Sequence, residues 1–202
     1  MTQASVEASL RDAAAPFVPP AGEHPVALRW GSVFEALTGD EGAYVEAIEL
    51  IYEGYLMHYR TGRLAVVDAN DRETALLAGD VFYARGLDIV AARGDMASVA
   101  LLTRLMAACS CLRTQGAPFS ADDALWAYTM AALAAVRHGI SADRAAAFFD
   151  ELDAELGRGA PTDLPGRAAA AAAALGLSDT APLAAAFAAG APHVEPIASP
   201  PS

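Results

Sequence analysis

Apolar residues recur along this chain three and four positions apart, in blocks long enough for helices, and glycine, proline or a short polar residue stops each block. Pro25 opens the first block, where Val26, Trp30, Val33, Phe34 and Leu37 share one side until Gly39 breaks the pattern. A second runs from about Asp40 to Arg60, with Tyr44, Val45, Ile48, Ile51, Tyr52, Tyr55 and Leu56 on one broad apolar face and Gly62 beyond its end. Asn70 or Asp71, with Glu73 behind it, supplies a cap and an acidic first turn for a helix to about Arg93. Its inward stripe reads as Leu76, Asp80, Tyr83, Leu87 and Val90. Gly79 and Gly86, seven apart, leave a shallow strip that a neighbouring backbone can approach.

Asp95 caps a further helix through about Thr114, expected to be buried through Val99, Leu102, Leu105, Met106 and Cys109. Ser120 starts another, with Asp122 and Asp123 in its first turn and Gly139 after its end. Leu125, Met130, Leu133 and Val136 make it apolar almost all round, which places it centrally. Ser141 caps an amphipathic helix through Leu156, in which Phe148, Phe149 and Leu152 alternate with acids. Seven consecutive alanines, Ala168 to Ala174, can form helix but bury little area, so weak docking or disorder is expected there. The organisation read from this pattern is an N-terminal arm and Pro-rich linker over 1–24, one helical domain over 25–160, and a weakly ordered Ala/Pro-rich segment over 161–202.

Composition reinforces the helical reading: 54% of the 202 residues are hydrophobic, many of them alanine, and only 19% are charged. The fold class expected is all-α. A net charge of −12 opposes a nucleic-acid or anionic-membrane partner, because such affinity rests on Lys and Arg. All 13 basic residues are arginine, which excludes lysine Schiff-base chemistry and a P-loop lysine. The longest strongly apolar run, 124–136, falls short of the ~20 residues that span a bilayer, so no integral membrane segment is expected. Glu7 and Asp12, with no basic region before an apolar core, do not read as a secretory signal, and the expected location is cytoplasmic.

Candidate chemistry is sparse. Asp68 and Asp71 are close enough to be weak candidates for metal binding, although helix capping explains them as well. Asp122 and Asp123 read as an acidic helix start stabilised by the helix dipole. Cys109 and Cys111 point to nearly opposite sides of a helix and read as packing thiols. None of the four histidines has a second at ligand spacing.

One stretch carries a more particular signal: Leu76-Leu77-Ala78-Gly79-Asp80, followed by Phe82-Tyr83 and closed by Gly94-Asp95. It resembles the trans-polyprenyl diphosphate synthase family, including the small subunits of its heterodimeric members such as heptaprenyl diphosphate synthase component I, over about 71–111. The resemblance implies an isoprenoid-synthase-like helical bundle, truncated relative to a full synthase. Family enzymes hold magnesium on two aspartate-rich motifs and bind the second substrate with lysine and arginine; this chain has no complete aspartate-rich motif and no lysine. The resemblance therefore implies a subunit not catalytic alone, with no cofactor of its own and magnesium only if it were active. Its partner would be a catalytic prenyl synthase, or a second copy of itself, and it would help set product length. Gly79, Asp80, Tyr83, Gly86, Leu87 and Tyr55 are the candidate surface for a partner or for a prenyl or other apolar ligand. A stand-alone helical binding or interaction module, unrelated to prenyl transfer, is the alternative.

Overall fold

The computed structural model describes residues 3–17, 26–40, 42–64, 71–159 and 161–189, and among them every regular element is an α-helix. The order is α1 Gln3–Ala14, α2 Trp30–Thr38, α3 Ala43–Tyr59, α4 Arg72–Ala91, α5 Met96–Thr114, α6 Phe119–Arg137, α7 Ala142–Leu156, α8 Leu164–Ala174 and α9 Ala181–Ala189. The all-α expectation holds. The chain gathers into two compact units. Unit 1 takes its described residues from Met1–Gly31 and Glu41–Arg93, and unit 2 from Ser32–Asp40 and Gly94–Pro192.

In unit 1 the hub is α3, on which α1 and α4 both pack. Its residues from Tyr44 to Met57 are buried with the exception of Glu46, so the helix has almost no solvent face. Val6 and Leu10 of α1 are buried, and Trp30 meets Tyr52 edge-on with ring centroids 6.4 Å apart. Arg85 on α4 reaches back to Asp12 at 2.6 Å near the end of α1. The N-terminal arm thus contributes a packed helix to this unit.

In unit 2 the hub is α6, which carries α5, α7, α8 and α9. Alanines at Ala124, Ala127, Ala131, Ala132, Ala134 and Ala135 are all buried, and their short side chains let several helices approach one axis. The central position expected for this helix holds, but its start differs. It begins at Phe119 after Pro118, with no side-chain cap, one residue before the expected Ser120. The alanine-rich segment also docks better than its composition suggests. Leu164, Ala168, Ala172, Leu175 and Leu183 are buried, which puts α8 and α9 firmly on α6. Residues 190–202 lie outside the described residues.

Three anticipated caps are present. Asp71 accepts from the Thr74 amide at 3.0 Å, Asp95 from the Ser98 amide at 3.0 Å, and Ser141 from the Arg144 amide at 3.4 Å. Each such cap contributes about 1 kcal/mol. Gly139, at φ +89°, takes the left-handed conformation that ends α6, where a side chain would be strained.

Among the described residues one helix, α5, is long and apolar enough to cross a membrane. Core helices pass the same test. Leu101, Leu102, Leu105, Ala108, Cys109 and Leu112 of α5 are buried within unit 2.

Candidate functional site

The contact between α3 and α4 brings together most of the residues singled out from the sequence. Three glycines set its closeness. A Cβ at Gly54 would lie 2.8 Å from the Gly79 carbonyl oxygen, and one at Gly86 would lie 2.7 Å from that of Ala47 and 2.6 Å from Ile51 Cγ1. Because two of those neighbours are backbone, the helices could not keep this separation with alanine in place of glycine. The strip left by Gly79 and Gly86 is therefore filled by α3 and does not line a cavity.

The buried face of α4 differs from the expected stripe. It consists of Ala78, Gly79, Phe82, Gly86 and Val90, while Leu76, Tyr83 and Leu87 are half-buried and Asp80 is exposed. The glycines point inward because only they fit, and this rotates the larger side chains to the flanks. Leu77, 61% exposed, stands outward with Asp80. Tyr55 is buried, stacked on Tyr52 with centroids 6.0 Å apart and tilted against Tyr59 at 5.5 Å.

At the C-terminal end of α3, His58 lies over Gly79, stacks on Tyr83 at 5.1 Å and faces Asp80, with Nε2 to Oδ1 at 3.1 Å. Burial lowers the His58 pKa from its ordinary 6.5; Asp80 opposes the shift and Arg72 adds to it. Arg72 donates to the carbonyl oxygens of Met57 and His58, satisfying the last turn of α3. Asp71 is held below the usual carboxylate range by hydrogen bonds from Thr74. Asp68, the other weak metal candidate, lies outside the described residues.

The most concentrated charge in unit 1 escaped the sequence reading. Glu49 and Glu53 sit one turn apart on α3, both with 0% exposure, and Arg63 folds back over them from the turn after the helix. Glu49 Oε1 accepts from the amides of Arg29 and Gly31, each at 2.7 Å, and Oε2 takes the Arg63 guanidinium. Glu53 accepts from Arg63 Nε at 2.7 Å and from the amides of Arg63 at 2.7 Å and Leu64 at 3.3 Å. Arg63 also donates to the Ala27 and Glu49 carbonyls and lies over the Tyr52 ring at 4.9 Å. Burial penalises its charge, but the two carboxylates outweigh that and hold its pKa above the ordinary arginine value. A Cβ at Gly62 would come within 2.9 Å of Glu53 Oε1, so the turn also needs that glycine. One signal in the sequence marks this cluster: Glu49 and Glu53 interrupt a run so apolar on both sides that no solvent face remains for them.

Unit 2 hides a similar pair. Asp122, read as part of an acidic helix start stabilised by the helix dipole, is fully buried and meets the Arg113 guanidinium at 2.9 and 3.0 Å, with Phe119 stacked on that guanidinium. Cys109 is buried and its thiol is pushed well up by burial, while Cys111 is half-buried and accepts from Gln115 at 3.3 Å. Among the described residues no group of three or more His, Cys, Asp or Glu side chains is arranged to hold a metal ion. Comparison of the chain with protein-family models, curated proteins and solved structures finds no match.

Proposed function

We propose that this chain is a non-catalytic helical subunit of the isoprenoid-synthase kind, which assists a catalytic polyprenyl diphosphate synthase and helps set product length. The observation that carries the reading is how α3, α4 and the turns beside them use their acidic groups. Glu49 and Glu53 hold Arg63, Asp71 caps α4 through Thr74, and Asp80 faces His58. Carboxylates committed to guanidinium, amide and imidazole partners are poor magnesium ligands, since magnesium asks for several converging, uncommitted oxygens. These four carboxylates do not fit that ion. The outward Leu77 and Asp80 of α4, with half-buried Tyr83 and Leu87 on the flank beside them, are the surface assigned to the partner.

The covering of Gly79 and Gly86 by α3 favours a second reading, a stand-alone interaction module whose α3–α4 pair is purely structural. Affinity capture from the native cell, followed by a prenyl-transfer assay on the captured complex, separates the two. A prenyl synthase in the complex whose product length changes when this chain is removed supports the subunit reading; a complex without prenyl-transfer activity supports the module.

A further inference from the structure

Both α7 and α8 lie on α6, and between them runs a cleft of about 440 Å³. Its walls are two helical stripes: Arg144, Ala147, Phe148 and Glu151 on α7, and Arg167, Ala170, Ala171 and Ala174 on α8. Each stripe follows the three- and four-residue spacing of one helix face. Alanine methyls are too short to meet across the gap, so the run that makes α8 helical also leaves the space unfilled. Tyr128 and Phe148 form an aromatic floor, their ring centroids 4.4 Å apart, and the Tyr128 hydroxyl is already spent on the Ala145 carbonyl oxygen at 2.7 Å.

An arginine stands at each end. Arg167 is committed: its guanidinium meets both oxygens of Glu155, at 2.5 and 3.0 Å. Arg144 makes one side-chain bond, from its guanidinium to the Ala174 carbonyl oxygen at 2.7 Å, and has no carboxylate partner among the described residues. A guanidinium has five N–H donors, so most of its capacity remains for an anion at the cleft mouth. From Arg144 to Glu155 along α7 is about 16 Å at the helical rise of about 1.5 Å per residue. The volume falls within the range of small-molecule sites, and the cleft is an open groove: its aromatic floor is buried while Arg144, Ala147, Glu151, Ala170 and Ala174 on its walls are exposed.

We propose that this cleft binds a single-tailed apolar carboxylate, with the head group on Arg144 and the tail along the alanine wall over Phe148. Glu151, further along α7, repels an anion placed mid-cleft and so fixes that orientation. Titration calorimetry with decanoate, and with decanol as the uncharged analogue, tests the assignment. Saturable uptake of one decanoate per chain is expected. Arg144→Gln should weaken decanoate about tenfold, the scale of a lost charged hydrogen bond, and leave decanol unchanged. Ala171→Leu fills the cleft and should remove both ligands while the thermal melt stays cooperative; if it does not fold, Ala147→Leu on the opposite wall serves. Absence of saturable decanoate uptake, equal affinity in Arg144→Gln, or full binding to a folded cleft-filling variant would overturn the proposal.

Discussion

Replacing Arg63 with methionine is the sharpest perturbation of unit 1. It keeps much of the side-chain length and removes the guanidinium that pairs with both Glu49 and Glu53. Both carboxylates have 0% exposure, so neither can recover water without opening the turn after α3. Breaking a buried ion pair from one side costs about 3–5 kcal/mol, because an uncompensated charge is left behind. That is a large part of the 5–15 kcal/mol that roughly bounds a domain's stability. Arg85→Met provides the internal comparison: its partner Asp12 is 70% exposed, and such a surface pair contributes about 1 kcal/mol or less. Urea unfolding followed by circular dichroism should place Arg63→Met several kcal/mol below the wild type and Arg85→Met close to it. Adding Glu49→Gln and Glu53→Gln to Arg63→Met should restore part of the loss, since the amide oxygens still accept from the Arg29, Gly31 and Leu64 amides. Equal midpoints for Arg63→Met and Arg85→Met would refute the buried-charge argument.

Three further outcomes follow from the same contacts. Gly86→Ala gains about 1 kcal/mol of helix propensity but must push against the Ala47 carbonyl and Ile51, an overpacking cost of about 1–3 kcal/mol, so a net loss is expected in thermal melts. Because the folded His58 pKa lies below its ordinary 6.5, the unfolded chain binds that proton more readily. Stability from the neutral ring is complete above that value and falls as the pH drops through it towards the folded pKa; His58→Gln should flatten this part of a stability–pH profile. A thiol reagent should modify half-buried Cys111 in the native protein and reach Cys109 only on unfolding, which peptide mapping of the labelled chain can read.

How far the sequence revealed this fold depended on whether a signal was local. Helix starts at Asp71, Asp95 and Ser141 were legible because a short side chain bonds an amide three residues on, a rule contained in four positions. The burial of α6 was legible because its apolar positions surround the axis. The inward face of α4 was legible only in part: Gly79 and Gly86 mark the close approach that the α3 backbone makes, but ranking the other positions by side-chain size favours Leu76 and Leu87 over Ala78 and Phe82. The same is true of charge. Arg63 lies 10 and 14 residues from its partners, and the backbone amides that complete the Glu49 site come from Arg29 and Gly31 on an earlier segment. No spacing rule along one helix reports such a cluster; only the apolar run around Glu49 and Glu53 hints that a partner must arrive from elsewhere. The docking of α8 was hidden for another reason, because alanine buries little area per residue and gains its place from the small-residue surface of α6 opposite.

The proposal that this chain is a non-catalytic partner stands or falls most directly on diphosphate release by the purified protein alone, given an allylic diphosphate, isopentenyl diphosphate and magnesium. The account predicts no release above the protein-free rate, with or without an Asp71→Asn substitution. Magnesium-dependent turnover by the single chain, lost in Asp71→Asn, would contradict it.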